Sequence, residues 1–359
     1  MLFFLLFPSL LFITIKLKSI TLPLEDRYGT FTIPIGIGNN PVKGVNLNLE
    51  SDRMYQINLF IEDSEISVIN KIETVKLDTT EAKAQKVKAK IYLDKNKTIF
   101  IKEYPLYNIV VNSFSYFDNL PLAYKFRDED YSIIHRLYKE EMISYRAFTL
   151  NMNFANNSGN ISFGPFTEKD LKSIKFKVDE SFPSWGSNMK SLSIGDVQID
   201  INDYFMFQAR YQMLFFPYPL FNALKDNIFK EYLANDICFM ILYIEGKGIS
   251  CNCSVKEKIQ PLIFNFEGGS VVLAQEKMFV KIQDKCLFII RTKTGYKNIV
   301  LNQLFLSYFI SFFDYEEKTI TLYTTDNSII AIKETKGVLY IIISSIILLI
   351  IQSIIIKLV

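Results

Sequence analysis

From residue 20 to residue 325 the chain is a succession of short β-patterned runs parted by turn signals, and this limits its fold more than any other feature. FTIPIGIG (31–38), VNLNLES (45–51), AKIYLD (89–94), TLNMNF (149–154), SIKFKV (173–178), LIFNF (262–266) and TITLY (319–323) carry the strand composition and, in most cases, the period of two of a half-buried strand. Helical spacing is confined to two places. In 130–142, Ile133, Ile134, Leu137, Tyr138 and Met142 make one apolar stripe, with Asp130 or Ser132 available as a cap; the other is 219–233. The expectation is an all-β protein. Hydrophobic residues make up 49% of 359, with 31 Phe and 20 Tyr against 14 Gly and 11 Pro, so the chain can bury a large core and has room for two domains.

Charge and histidine content remove several function classes. Lys and Arg number 40 and Asp and Glu 38, a net charge of +2 that lacks the basic footprint of a nucleic-acid-binding domain. The single His, His135, excludes multi-His zinc sites. It falls among Arg136, Lys139 and Glu140 on the first predicted helix, with no nucleophile motif, and reads as a solvated or half-buried side chain. The pair Gly36 and Gly38 is followed by a strand pattern, so no helix N-terminus is there to hold a phosphate. No metal or cofactor is expected.

The two ends point to the secretory pathway. Residues 2–15 are almost continuously apolar and too short to span a bilayer, which predicts a signal peptide over 1–19; a buried first strand is the alternative. The run 337–356 carries no charge over 20 residues, matching about 30 Å of hydrocarbon at about 1.5 Å per residue. It predicts a transmembrane helix or a tail exchanged for a GPI anchor, after a spacer over 326–336. Four Cys, at Cys238, Cys251, Cys253 and Cys286, favour two disulfides in such a compartment over metal binding or reactive thiols. Glycosylation triplets stand at Asn96, Asn156, Asn160 and Asn252.

Taken in order, the strands, helices and turns resemble those of the pepsin-like aspartic proteases (peptidase A1-like) along almost all of 20–325. VLNQLFLSYFISFFDYEEKTITLY (300–323) is similar to the family's closing signature, keeping Phe305, Leu306, Phe309, Phe313 and Asp314 but with Asn302 and Gln303 for its Gly-Asp. SWGSNMKSLSIGD (184–196), SGNISFGPF (158–166), the helix at 130–142 with the ISYRAFTLNMN that follows, and P-x-I-F at 261–264 resemble further landmarks. The resemblance implies two lobes, 20–172 and 173–325, with a cleft between them that takes an extended peptide. It also implies the disulfide Cys253–Cys286 and, with it, Cys238–Cys251.

The chemistry departs from that family. Its hydrolysis uses two facing carboxylates that share one proton, each in an apolar-D-[ST]-G-[ST] turn. Following Val45, Leu47 and Leu49, the first such turn is expected at Glu50-Ser51-Asp52-Arg53; counting back from Pro217 puts the second at Gln208-Ala209-Arg210-Tyr211. Gln208 cannot ionise, so no shared-proton dyad forms there. Asp52 and Asp203 read as solvated turn acids. Tyr92 is expected as the tyrosine of the flap over the cleft, with Leu93 and Lys95 in place of neighbouring glycines. The resulting expectation is a membrane-anchored protein of protease fold, catalytically inactive, that acts by binding a peptide or protein. The alternatives are an active aspartic-type endopeptidase with an atypical dyad, whose acid-optimum cleavage Glu50→Ala abolishes, and a β-rich surface antigen or adhesin without two related lobes.

Overall fold

The alternation read from the sequence becomes two large sheets, of 14 and 12 strands. The computed structural model describes residues 18–27, 30–57, 59, 63–77, 80–111, 118–166, 171–209, 212–243, 246–293, 295–324 and 330–331. Most of the expected signal peptide (1–17) and the whole apolar run 337–356 lie outside the described residues. Among the described residues no helix is long and apolar enough to cross a membrane.

Six antiparallel strands tie the two halves of the chain together. Ile20–Arg27, Ser158–Phe163 and Ala147–Asn153 come from the first half and continue edge to edge into Ile310–Asp314, Thr319–Thr324 and Lys172–Lys177 from the second. Thr319–Thr324, paired on both edges, is buried at every position but one. Each half then adds its own strands. The first extends the platform through Thr30–Ile37 and Lys43–Asn48, and the second builds the 12-stranded sheet.

The core runs through both halves. Phe148 stacks on Phe313 across the platform, centroids 4.6 Å apart. Trp185, fully buried, meets Tyr124, Phe148, Phe313 and Tyr315 edge-on, and its indole N–H donates to Leu122 O at 2.7 Å. An aromatic of this size contributes both area and edge-to-face attraction, and its one polar atom is satisfied. Gln303 makes a second clasp. Its Oε1 accepts from Phe31 N at 3.0 Å, and its Nε2 donates to Phe31 O at 3.2 Å and to Ala209 O. The residue that departs from the family's closing signature thus joins the two halves through neutral hydrogen bonds.

Both disulfides form as the resemblance implied. Cys238–Cys251 closes the hairpin of Cys238–Tyr243 with Gly246–Asn252, whose cysteines face each other in register, and Cys253–Cys286 ties that strand's end to Lys285–Phe288. The helix predicted at 130–142 runs as a 3-10 turn, Glu129–Tyr131, then Ile133–Lys139. Ser132 caps the second part by accepting from His135 N. His135 pairs its Nε2 with Glu129 at 2.9 Å and is half-buried.

Candidate functional site

The strand that leads into each expected turn is held by the same figure in both halves. Asn119 bridges Asn46 in parallel register on one side and Tyr55 in antiparallel register on the other. Val300 bridges Met206 in parallel and Phe215 in antiparallel register. In each case nine positions separate the two partners, 46 to 55 and 206 to 215. The figures are therefore equivalent residue for residue, and two positions beyond Asn46 and Met206 stand Asn48 and Gln208.

Backbone bonding agrees with this phase. Asn48 pairs with Pro121 and its O accepts from Leu122 N at 2.8 Å; Gln208 N donates to Leu301 O at 3.0 Å. Leu49 and Ala209, next along, are both buried. The sequence-based register in the first half is thus displaced by two residues: Glu50 is not the partner of Gln208. An apolar alternation Val45, Leu47, Leu49 continues one step past the end of the pairing, and this led the count to Glu50. The turn is Asn48-Leu49-Glu50-Ser51, which keeps a hydroxyl, Ser51, at its last position.

Asn48 holds its turn as a short acceptor would. Its Oδ1 accepts from Glu50 N and Ser51 N, both at 3.0 Å, and Ser51 Oγ donates to Arg53 O at 2.7 Å. Gln208 is 4% exposed and its Oε1 has no hydrogen-bond partner among the described residues. Both equivalent positions therefore carry neutral amides, which cannot ionise or share a proton. Asp52 contacts Arg53 at 3.9 Å and Arg127 at 3.6 Å, and Asp203 accepts from its neighbour Tyr204 N on an exposed strand position. Neither acid stands at an equivalent position.

Tyr92 also needs correction. It ends the long strand Thr80–Tyr92, pairs with Gly36, and donates its hydroxyl to Glu65 at 3.1 Å between the cations of Lys90 and Lys97. The stretch of that strand next to the Asn48 turn is instead Ala84–Lys86, which pairs with Ile109–Tyr107 beside Tyr55–Ile57. Six residues at about 3.3 Å each put Tyr92 roughly 20 Å from Lys86. The hairpin at the turn's end is Glu73–Leu77 with the start of Thr80–Tyr92. Sequence reading missed it because Ala82, Ala84 and Ala89 alternate with lysines, and both residue types are poor strand formers.

Beneath this hairpin lies an aromatic cluster that sequence reading also missed. Val75, Ala82 and Ala84 pack on Tyr107, Ile109 and Tyr131, with Tyr55 against them. Tyr107 and Tyr131 stack at 6.2 Å. Arg53 lies over both rings, at 5.2 and 6.0 Å, and donates to Tyr107 Oη at 3.2 Å. Burial pushes Tyr55 up to about 12 and raises Tyr107 and Tyr131, so all three hydroxyls stay neutral donors. Burial works against the Arg53 charge, but the oxygens of Tyr107, Tyr55 and Asp52 offset it and hold the guanidinium above its usual value.

The expected glycosylation positions differ in access. Asn96 and Asn156 are exposed in turns. Asn160 is half-buried in the platform between Pro23 and Asn151, and Asn252 lies between the two disulfides with its Oδ1 accepting from Lys285 Nζ.

A family model described as eukaryotic aspartyl protease matches residues 68–325. A crystal structure of aspartic proteinase from Irpex lacteus superposes with a TM-score of 0.70 at 12% identity, covering 86% of this chain and 98% of that one. Among curated proteins nothing matches. With its two lobes joined by one platform and the match spanning most of its length, the chain belongs to the eukaryotic aspartyl protease family.

Proposed function

We propose that this protein is a member of its family that binds an extended peptide or protein segment in the cleft between its lobes and does not hydrolyse it. One observation carries the reading: Asn48 and Gln208 occupy the equivalent positions of the two lobes, and both are amides. Hydrolysis by this family's chemistry needs one ionised and one protonated carboxyl group facing a water molecule. An amide can orient a water or a peptide group but cannot take its proton. Binding survives this loss, because an extended ligand is held by main-chain hydrogen bonds and side-chain pockets. Gln208 Oε1, buried and without a hydrogen-bond partner among the described residues, adds a neutral acceptor at this position and no proton to give.

In this reading the protein is a membrane-anchored glycoprotein whose lobes face the lumen or the outside of the cell. Two disulfides and the exposed triplets at Asn96 and Asn156 support that compartment, and the length of the apolar run 337–356 supports the anchor. The test is to incubate the purified full-length protein with a diverse peptide library from pH 3 to 7, measuring products and retained peptides separately. Retention without products supports the reading, and cleavage with an acid optimum makes the protein an endopeptidase instead.

A further inference from the structure

We propose that the cluster of Arg53, Lys86 and the rings of Tyr107 and Tyr131 selects ligands carrying an acidic side chain. This rests on the reading that the cleft binds a peptide, and it names the chemistry of the segment bound. Two cations, Arg53 from the bend before Tyr55–Ile57 and Lys86 from Thr80–Tyr92, lie over one ring: Arg53 stands 6.0 Å from the Tyr131 centroid and Lys86 Nζ 5.0 Å from it. A ring face attracts each cation without neutralising it, so an anion beside either one lowers the energy further.

The protein does not supply that anion in full. The carboxylate of Asp52 reaches Arg53 only at 3.9 Å and is shared with Arg127 at 3.6 Å, and no carboxylate of the described residues lies within ion-pair distance of Lys86. Glu73 acts on Tyr107 and Tyr131 through space, as a minor influence on both. The Arg53 guanidinium donates to Tyr107 Oη and is hydrogen-bonded with Tyr55 as well, while the side chain keeps 28% of its surface exposed. Its remaining donors suit a carboxylate, which a planar fork takes through two parallel bonds. Arg53 follows Ser51 by two residues, so an acid seated here belongs to a ligand whose main chain passes the Asn48 turn.

The experiment uses the full-length protein and fluorescently labelled peptides in matched pairs, Asp or Glu in one and Asn or Gln in the other, read by anisotropy. The acidic member should bind at least about tenfold more tightly, as loss of a charge-assisted hydrogen bond implies. Lys86→Met and Arg53→Met should each bring the acidic peptide close to the affinity of its amide partner and leave the amide peptide unchanged. Lys86→Met guards against misfolding, because the Lys86 ammonium makes no hydrogen bond among the described residues. Equal affinity within the pairs, or equal weakening of both members by the variants, overturns the acidic-selectivity proposal while leaving peptide binding intact. Failure of every peptide to bind overturns the peptide-binding reading and this proposal with it.

Discussion

Replacing Trp185 by Phe should weaken the union of the two lobes by an amount that the structure lets one compose. The indole N–H bond to Leu122 O is buried at 2.7 Å, and its loss leaves a carbonyl with only the longer 3.5 Å contact from Tyr315 Oη, a cost of about 1–2 kcal/mol. The smaller ring leaves a void of roughly 40 Å³, adding about 1 kcal/mol at ~24 cal/mol per Å³ of cavity. The sum, about 2–3 kcal/mol, should lower the melting temperature by roughly 3–5 °C. Trp185→Ala, which empties the contacts with four aromatic rings, should cost about 3–5 kcal/mol. Thermal melts followed by far-ultraviolet circular dichroism suit both variants, since Trp185 is the only Trp. A Phe variant that melts within 1 °C of the native protein would refute the argument that this bond and its packing join the lobes.

Three further outcomes follow from particular contacts. Removing the Cys253–Cys286 bridge by paired Ser substitution should destabilise by about 4 kcal/mol, and removing Cys238–Cys251 by about 3 kcal/mol, because sequence separations of 33 and 13 release different loop entropies; denaturant titrations that rank them the other way contradict this. The hydrogen bonds of Arg146 to Glu316, at 2.7 and 2.9 Å, hold that carboxyl below its usual range. A depressed carboxyl contributes stability above its unfolded pKa and loses it as pH falls through the folded value. Arg146→Met should therefore cost about 0.5–1 kcal/mol at pH 7, discounted for a third of exposure, and nothing once acid has protonated Glu316 in both proteins. Tyr92→Phe should leave peptide affinity within about twofold, because Tyr92 lies on the far stretch of its strand; a larger loss in a binding titration would restore it to the cleft.

How much of this was legible in the sequence depended on what each signal reports. The strand at 173–178 was legible because its period-two burial is written directly in side-chain type, and 319–323 because it is a run of β-branched and apolar residues that the structure buries almost throughout. The closing signature with Phe305 and Phe313 was legible because bulky core positions tolerate few changes of size. Register was harder. Val45, Leu47 and Leu49 are all buried, so the apolar pattern is the same for a turn at Asn48 and for one at Glu50, and only the bridges at Asn119 and Val300 separate them. The hairpin at Glu73–Ala84 was hidden by Ala and Lys, and with it the tyrosine cluster, whose members lie far apart in sequence at 55, 107 and 131. The role of Gln303 as an interlobe clasp could not be read at all, since an amide carries no sign of which main chain it will meet.

The most direct test of the central claim is product formation by the native full-length protein from pH 3 to 7, beside Glu50→Ala and a double variant, Asn48→Leu with Gln208→Leu. Amides at both equivalent positions predict no turnover above buffer at any pH and none gained or lost in Glu50→Ala, with peptide retention reduced only in the double variant. Acid-optimum cleavage by the native protein that disappears in Glu50→Ala would contradict the account, because it would place the working carboxylate two residues beyond the position that the pairing equates with Gln208.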